Sequence, residues 1–208
     1  MKKNSVRIKQ MIIVAMLTAI SLVLYIVGPK FSLPIFPSFL EINFSMLPIF
    51  IALFMVGFRG TLAMIVLRFL LKLPFSSTMY VGEIADLILA LVTIAPSYLL
   101  LIKVNCKGKS VIQFSGILLA WTIAGVISNC FSLPLYMKMF GGKEVIIGAM
   151  SMISNVNTSN YLWKYMLFCV VPFNLLLSSV VLAVTFPVNS RLKDFYLNLG
   201  GKTKNEKM

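Results

Sequence analysis

Long apolar blocks alternate with short gaps along this chain, and Lys and Arg crowd into every other gap. The blocks run roughly Met11–Val27, Leu40–Phe58, Thr61–Leu73, Tyr80–Ile102, Val111–Tyr136 and Trp163–Val188. Most reach the roughly 17–25 apolar residues needed to cross a bilayer core, and the third is short. Lys2, Lys3, Arg7 and Lys9 precede the first block, and Arg59 separates the second from the third. Lys103, Lys107 and Lys109 separate the fourth from the fifth, and Arg191, Lys193, Lys202, Lys204 and Lys207 follow the sixth. The remaining gaps, with the block ends that border them, hold only Lys30, Lys72, Lys138, Lys143 and Lys164. Since cytoplasmic segments carry the excess of Lys and Arg, the expected protein is an all-α bundle of six membrane helices with both termini in the cytoplasm.

The balance of residue types excludes the main alternatives. Charged residues make up 12% of the chain, where a soluble domain carries about 25%. The +13 net charge could attract nucleic acid, but its carriers flank the spans, so orientation and anionic lipid are its expected uses. The basic start and apolar run of the N-terminus are longer than a signal-peptide core, and Gly28-Pro29-Lys30 offers no small-x-small cleavage site. Residues 1–208 are therefore expected to form one integral membrane domain that keeps its first span.

Cys106, Cys130 and Cys169 show no paired spacing, and Cys106 is expected on the reducing, cytoplasmic side. The chain has no His, which removes the commonest metal ligand and general base. Gly108-Lys109-Ser110 resembles the end of a phosphate-binding loop, but Lys103 stands where its first Gly belongs. No second, similar half with interrupted helices is visible, as many secondary transporters have. A small bundle without an engine points to a subunit that binds something and borrows energy.

Polar residues inside the spans mark candidate sites, because each costs several kcal/mol unless paired or hydrated. Arg68 lies in the third block, and Glu83 and Asp86, three apart and so on one helical face, open the fourth. They form either a structural ion pair between spans three and four or the wall of a polar, outward-opening pocket. Asn129 and Asn174 add amides that need partners and should face the interior. Pro172 should loosen the sixth span just ahead of Asn174. Residues 28–37 hold three prolines yet are rich in Phe, Leu and Ile; they suit an ordered lid over a pocket or an interfacial connector. Ala15 and Ala19 share one face of the first helix and allow another helix to approach closely, within the bundle or from a partner.

At these positions the chain resembles the substrate-binding S components of energy-coupling-factor (ECF) vitamin transporters, of the riboflavin-type branch. The resemblance rests on Leu40-Glu41-Ile42-Asn43-Phe44-Ser45-Met46-Leu47-Pro48, Val81-Gly82-Glu83-Ile84-Ala85-Asp86, residues 129–137 from Asn129 to Met137 (which include Tyr136), and Val171-Pro172-Phe173-Asn174-Leu175. With the Ala15/Ala19 pair these stretches cover nearly the whole chain. The resemblance implies a six-helix binding subunit, in a bacterial-type plasma membrane, working with a transmembrane T subunit and two cytoplasmic ATPases. It implies Ala15 and Ala19 against the T subunit, and substrate contacts drawn from Phe44, Arg68, Glu83, Asp86, Asn129, Tyr136 and Asn174. No cofactor, metal or catalytic residue is implied.

The polar lining departs from the family pattern. Leu177 stands where riboflavin-type members carry a Lys, Asn43 and Met46 where they carry acidic residues, Arg68-Phe69 for a Lys-Asn pair, and Asp86 for an Asn. A flavin remains the expected ligand, since 16 Phe, 7 Tyr and 2 Trp suit a planar ring; another vitamin or small heterocycle is the alternative. An intramembrane enzyme using Glu83 and Asp86 as acid and base lacks any recognisable nucleophile–base pair. A pure scaffold would gain nothing from Arg68 or Asn174 inside lipid.

Overall fold

The computed structural model describes residues 2–198 apart from 38, 77, 105–107, 152 and 154, with only the backbone described for 2–6 and 193–198. Cys106, Lys107, Lys202, Lys204 and Lys207 lie outside the described residues, and with them the expected placing of Cys106. Helix α1 (Lys2–Ile26) leads into a connector whose strands β1 (Phe31–Ser32) and β2 (Glu41–Ile42) pair antiparallel, Phe31 opposite Ile42. Then follow α2 (Leu47–Met55), α3 (Gly57–Lys72), a 3-10 turn (Leu73–Phe75), α4 (Val81–Lys103) and α5 (Lys109–Phe140). The chain continues through α6 (Lys143–Ala149), α7 (Tyr161–Lys164), a π-helical turn (Tyr165–Val170) and α8 (Val171–Asn198).

Among the described residues, four helical stretches are long and apolar enough to cross a membrane: Arg7–Ile26, Val81–Lys103, Lys109–Phe140 and Tyr161–Leu192. The second apolar block folds differently from the continuous helix expected, whereas the third is helical in α3 as far as Lys72. Residues 40–46 are not helical, and α2 and α3 have 9 and 16 residues. The cause is local. Pro48 sits in the first turn of α2, where its missing amide costs nothing but where it cannot extend the helix backward. Just before it, the Asn43 side chain accepts from both the amide (3.2 Å) and the hydroxyl (2.5 Å) of Ser45, a turn typical of Asn. Gly57, at φ +75°, makes the left-handed junction between α2 and α3.

In a bilayer, apolar burial adds little between helices, so close approach and polar bonds carry the packing. Fully buried Ala52, Ala90 and Ala124 serve that approach on α2, α4 and α5. Helix α5 packs on α4 and α8, and α2 on α8; the Phe50 and Trp121 rings stack at 5.1 Å where α2 meets α5. A second apolar cluster, with Leu133, Ile146, Met150 and Tyr165, seats the unexpected α6 against α5 and the π turn. Helix α1 is peripheral. Thr18 and Ser21 are buried, whereas Met11, Ile12, Met16, Ile20 and Val23 are exposed, as are Ala15 and Ala19. Exposed apolar surface on this scale, continued on α3, α4, α5 and α8, suits a protein surrounded by lipid.

Candidate ligand-binding site

A cavity of about 200 Å³ opens between α4, α5, the α7–α8 region and the connector that precedes α2. Three walls differ in chemistry. The connector contributes Phe39, Leu40, Glu41, Asn43 and Met46; α4 contributes Gly82, Ala85, Asp86 and Leu89. Helix α5 supplies Gly125, Ser128, Asn129, Ser132 and Tyr136, faced by Tyr165, Phe173, Asn174 and Leu177 from the π turn and α8.

Aromatic rings hold the connector over the cavity. Phe36 meets Phe173 edge-on at 5.5 Å, and Phe39 packs on Tyr136 at 4.9 Å and Tyr165 at 6.2 Å. The α5–α8 wall depends on a glycine. A Cβ at Gly125 would stand 2.4–2.6 Å from the Asn174 amide group, so only Gly lets that side chain lie across α5. Asn174 and Asn129 each donate from Nδ2 to the carbonyl one turn earlier, Val170 and Gly125, both at 2.9 Å. Tyr165 Oη donates to Asn129 Oδ1 at 2.9 Å, and Ser128 Oγ ties α5 to α4 through the Ala85 carbonyl at 2.6 Å.

The α4 wall is backed by charge. Arg68 Nη2 lies 2.8 Å from Asp86 Oδ2, and Lys72 Nζ contacts the same oxygen. Arg68 also donates to Ser45 Oγ at 2.7 Å, which fixes the connector to α3. Lys72 sits 3.7 Å from the centroid of the Tyr25 ring on α1, a cation–π contact. Tyr25 Oη in turn donates to Glu83 Oε1 at 2.6 Å, and Ser76 and Thr78 donate to Glu83 Oε2 at 2.7 and 3.2 Å. Ser21 Oγ reaches the Ser45 carbonyl at 2.5 Å, so α1 meets this region at two points.

Of the residues singled out in the sequence, Asp86, Asn129, Tyr136 and Asn174 line the cavity. Arg68 and Glu83 do not: both are buried behind the α4 wall, Arg68 pairing with Asp86 and Glu83 with hydroxyls. Phe44 is half-buried beside the cavity and outside its wall. Helical loosening comes earlier than expected of Pro172, in the π turn that ends at Val170; an amide missing at Pro172 removes the bond that would hold the preceding turn to α geometry. Sequence reasoning placed Lys72 in an outer gap, whereas it ends α3 and is 2% exposed. It also passed over Tyr25, Tyr165, Ser128 and Ser132. Lys72 is four residues from Arg68, and so one turn away on the same face, which was the available signal.

The arrangement offers rings, amides and a carboxylate to a small molecule, and the described residues include no group of His, Cys, Asp and Glu able to hold a metal. The family model of the ECF transporter substrate-specific component matches residues 9–189. The chain belongs to that family.

Known S components and their relatives agree over most of its length. The chain is 31% identical over 185 residues to the riboflavin transporter RibU of Streptococcus thermophilus, covering 83% of this chain and 77% of that protein. It is 28% identical over 134 residues to the riboflavin transporter FmnP of Bacillus subtilis, covering 62% and 70%. A solved S component of a bacterial ECF transporter superposes with a TM-score of 0.67 at 25% identity, covering 91% of this chain and 98% of that one. This S component is thus a multi-pass membrane transport protein and not an enzyme, which removes the acid–base reading of Glu83 and Asp86.

Proposed function

We propose that this S component captures riboflavin or a related flavin from outside the cell and hands it to a transmembrane T subunit powered by two ATPases. The observation that carries this reading is the cavity's chemistry. Phe39, Tyr136, Tyr165 and Phe173 supply rings, and Asn129 and Asn174 supply amides, in a chain akin to named riboflavin transporters. Flavin rings are flat and apolar on their faces, and carry hydrogen-bonding atoms at their edges, which this mixture suits. In this reading Asn129, Asn174, Asp86 and Tyr136 touch the ligand, Arg68 and Glu83 support them, and Phe44 helps seat the connector. The whole chain acts as one membrane domain, with residues 41–55 (β2, the turn after it and α2 together) and α3 as the second and third crossings and both termini cytoplasmic.

The cavity, at about 200 Å³, is below the roughly 300–1,000 Å³ of typical ligand sites. A flavin therefore enters only if the connector moves outward, which gives residues 28–46 the role of a lid. Exposure of Ala15 and Ala19 supports the T subunit as the partner of α1. A second reading, another small heterocycle, draws on Leu177, an apolar wall residue where the family resemblance implies a Lys.

Titrating the purified protein with riboflavin and following quenching of flavin fluorescence tests the proposal. Saturable binding is expected, together with yellow colour co-purifying from flavin-containing cells. No quenching by riboflavin, with another vitamin raising the thermal midpoint, would transfer the assignment to the second reading.

A further inference from the structure

We propose that Asp86 sets the charge of the ligand this cavity accepts, favouring uncharged ligands with hydroxyl or N–H donors over phosphorylated ones. Arg68 and Lys72 act as its positioning residues. The inference rests on reading the cavity as the ligand site, and it concerns a different property from the identity of the ring.

Both cations reach one carboxylate oxygen, Oδ2, from the α3 side. Their side chains are 3% exposed, against 20% for that of Asp86. A molecule in the cavity therefore meets the carboxylate and not the cations behind it. Among the described residues, the charged groups in the cavity wall are Glu41 and Asp86, both acidic. Lys30 reaches Glu41 only from the exposed side, at 3.9 Å. A buried phosphate needs cationic or amide donors to replace its water, and here it would face carboxylates instead. A hydroxyl or N–H, by contrast, finds an acceptor in the Asp86 carboxylate that lines the cavity.

The same geometry makes removal of the carboxylate informative. Without it, Arg68 and Lys72 stand uncompensated beside the cavity, and the preference should swing toward an anionic ligand. Riboflavin and its phosphate ester, titrated against the full-length protein by fluorescence quenching, read this directly. Wild type should bind riboflavin at least about tenfold tighter than the ester. Asp86→Asn, which installs the Asn that riboflavin-type members carry, should keep riboflavin affinity within about threefold, while the ester binds at least about tenfold tighter than to wild type. Lys72→Met removes a cation and leaves Asp86 less neutralised, so it should raise the riboflavin-to-ester ratio, and Lys72→Arg should return it to the wild-type value, which a merely structural role would not require. If Asp86→Asn does not fold, the double variant Lys72→Met/Asp86→Asn, which adds no net charge to the cluster, should still show the collapsed ratio. Equal binding of both ligands by wild type, or a ratio unchanged by Asp86→Asn, overturns the inference alone. Binding of neither overturns the flavin reading and this inference with it.

Discussion

Two walls of the cavity solve the same problem, polar groups inside a membrane, in opposite ways. On the α3–α4 side, Arg68, Lys72, Asp86 and Glu83 bond to residues of other elements, from Tyr25 on α1 to Ser45 ahead of α2. On the α5–α8 side, Asn129 and Asn174 satisfy their donors on carbonyls of their own helical stretch. The charged wall therefore joins the bundle through its charges, whereas the two amides keep their own donors local and their wall is tied across by the Tyr165 and Ser128 hydroxyls. A change in the first should be felt as lost folding stability, and a change in the second as lost affinity.

The largest effect should follow from Arg68→Ala. It removes the bonds to Asp86 and Ser45 at once and leaves the half-buried Asp86 carboxylate with Lys72 as its charged partner, so the cost should approach but not exceed the about 3–5 kcal/mol of a broken buried pair. A thermal unfolding scan in detergent should show a much lower midpoint; an unchanged midpoint would mean that Lys72 alone suffices and that the charged wall does not hold the bundle. On the other wall, Gly125→Ala should push the Asn174 amide out of place, and Asn174→Ala should remove it. Each should weaken ligand binding roughly 5- to 150-fold, about 1–3 kcal/mol, with little change in the midpoint. A midpoint that falls with the affinity would erase the distinction between the walls. The smallest effect on binding belongs to Ala15→Trp and Ala19→Trp, since both positions are exposed on α1. The isolated protein should keep its affinity within about twofold, while ligand uptake by cells carrying the full transporter should fall sharply. Lost affinity would show that α1's outer face packs inside the bundle.

Much of this was legible in the sequence because lipid imposes strong rules. Hydropathy located the four long helical stretches to within a few residues, and the cost of intramembrane polar groups singled out Arg68, Asp86, Asn129 and Asn174. What escaped had other causes. The start of α2 was misplaced because Asn43 and Pro48 act through local bonds that an apolar block does not reveal. Lys72 was taken for a loop charge because its burial depends on Asp86 and Tyr25, residues that lie 14 and 47 positions away. Helix α6 was missed because seven residues in a mixed segment carry too little periodicity to register.

The π-helical turn at Tyr165–Val170 bears on how such periodicity is counted. Tyr165 and Asn174 are nine positions apart, which at about 100° per residue places them on opposite faces of a straight α-helix. Both nevertheless line the cavity. The wider turn accommodates about one extra residue and so takes back about 100° of rotation, bringing the two side chains round to one side. The helix thus contains one residue of slack. A chain lacking that residue, with an uninterrupted α-helix in its place, would aim the same two side chains the same way, so length and aim are uncoupled at this turn.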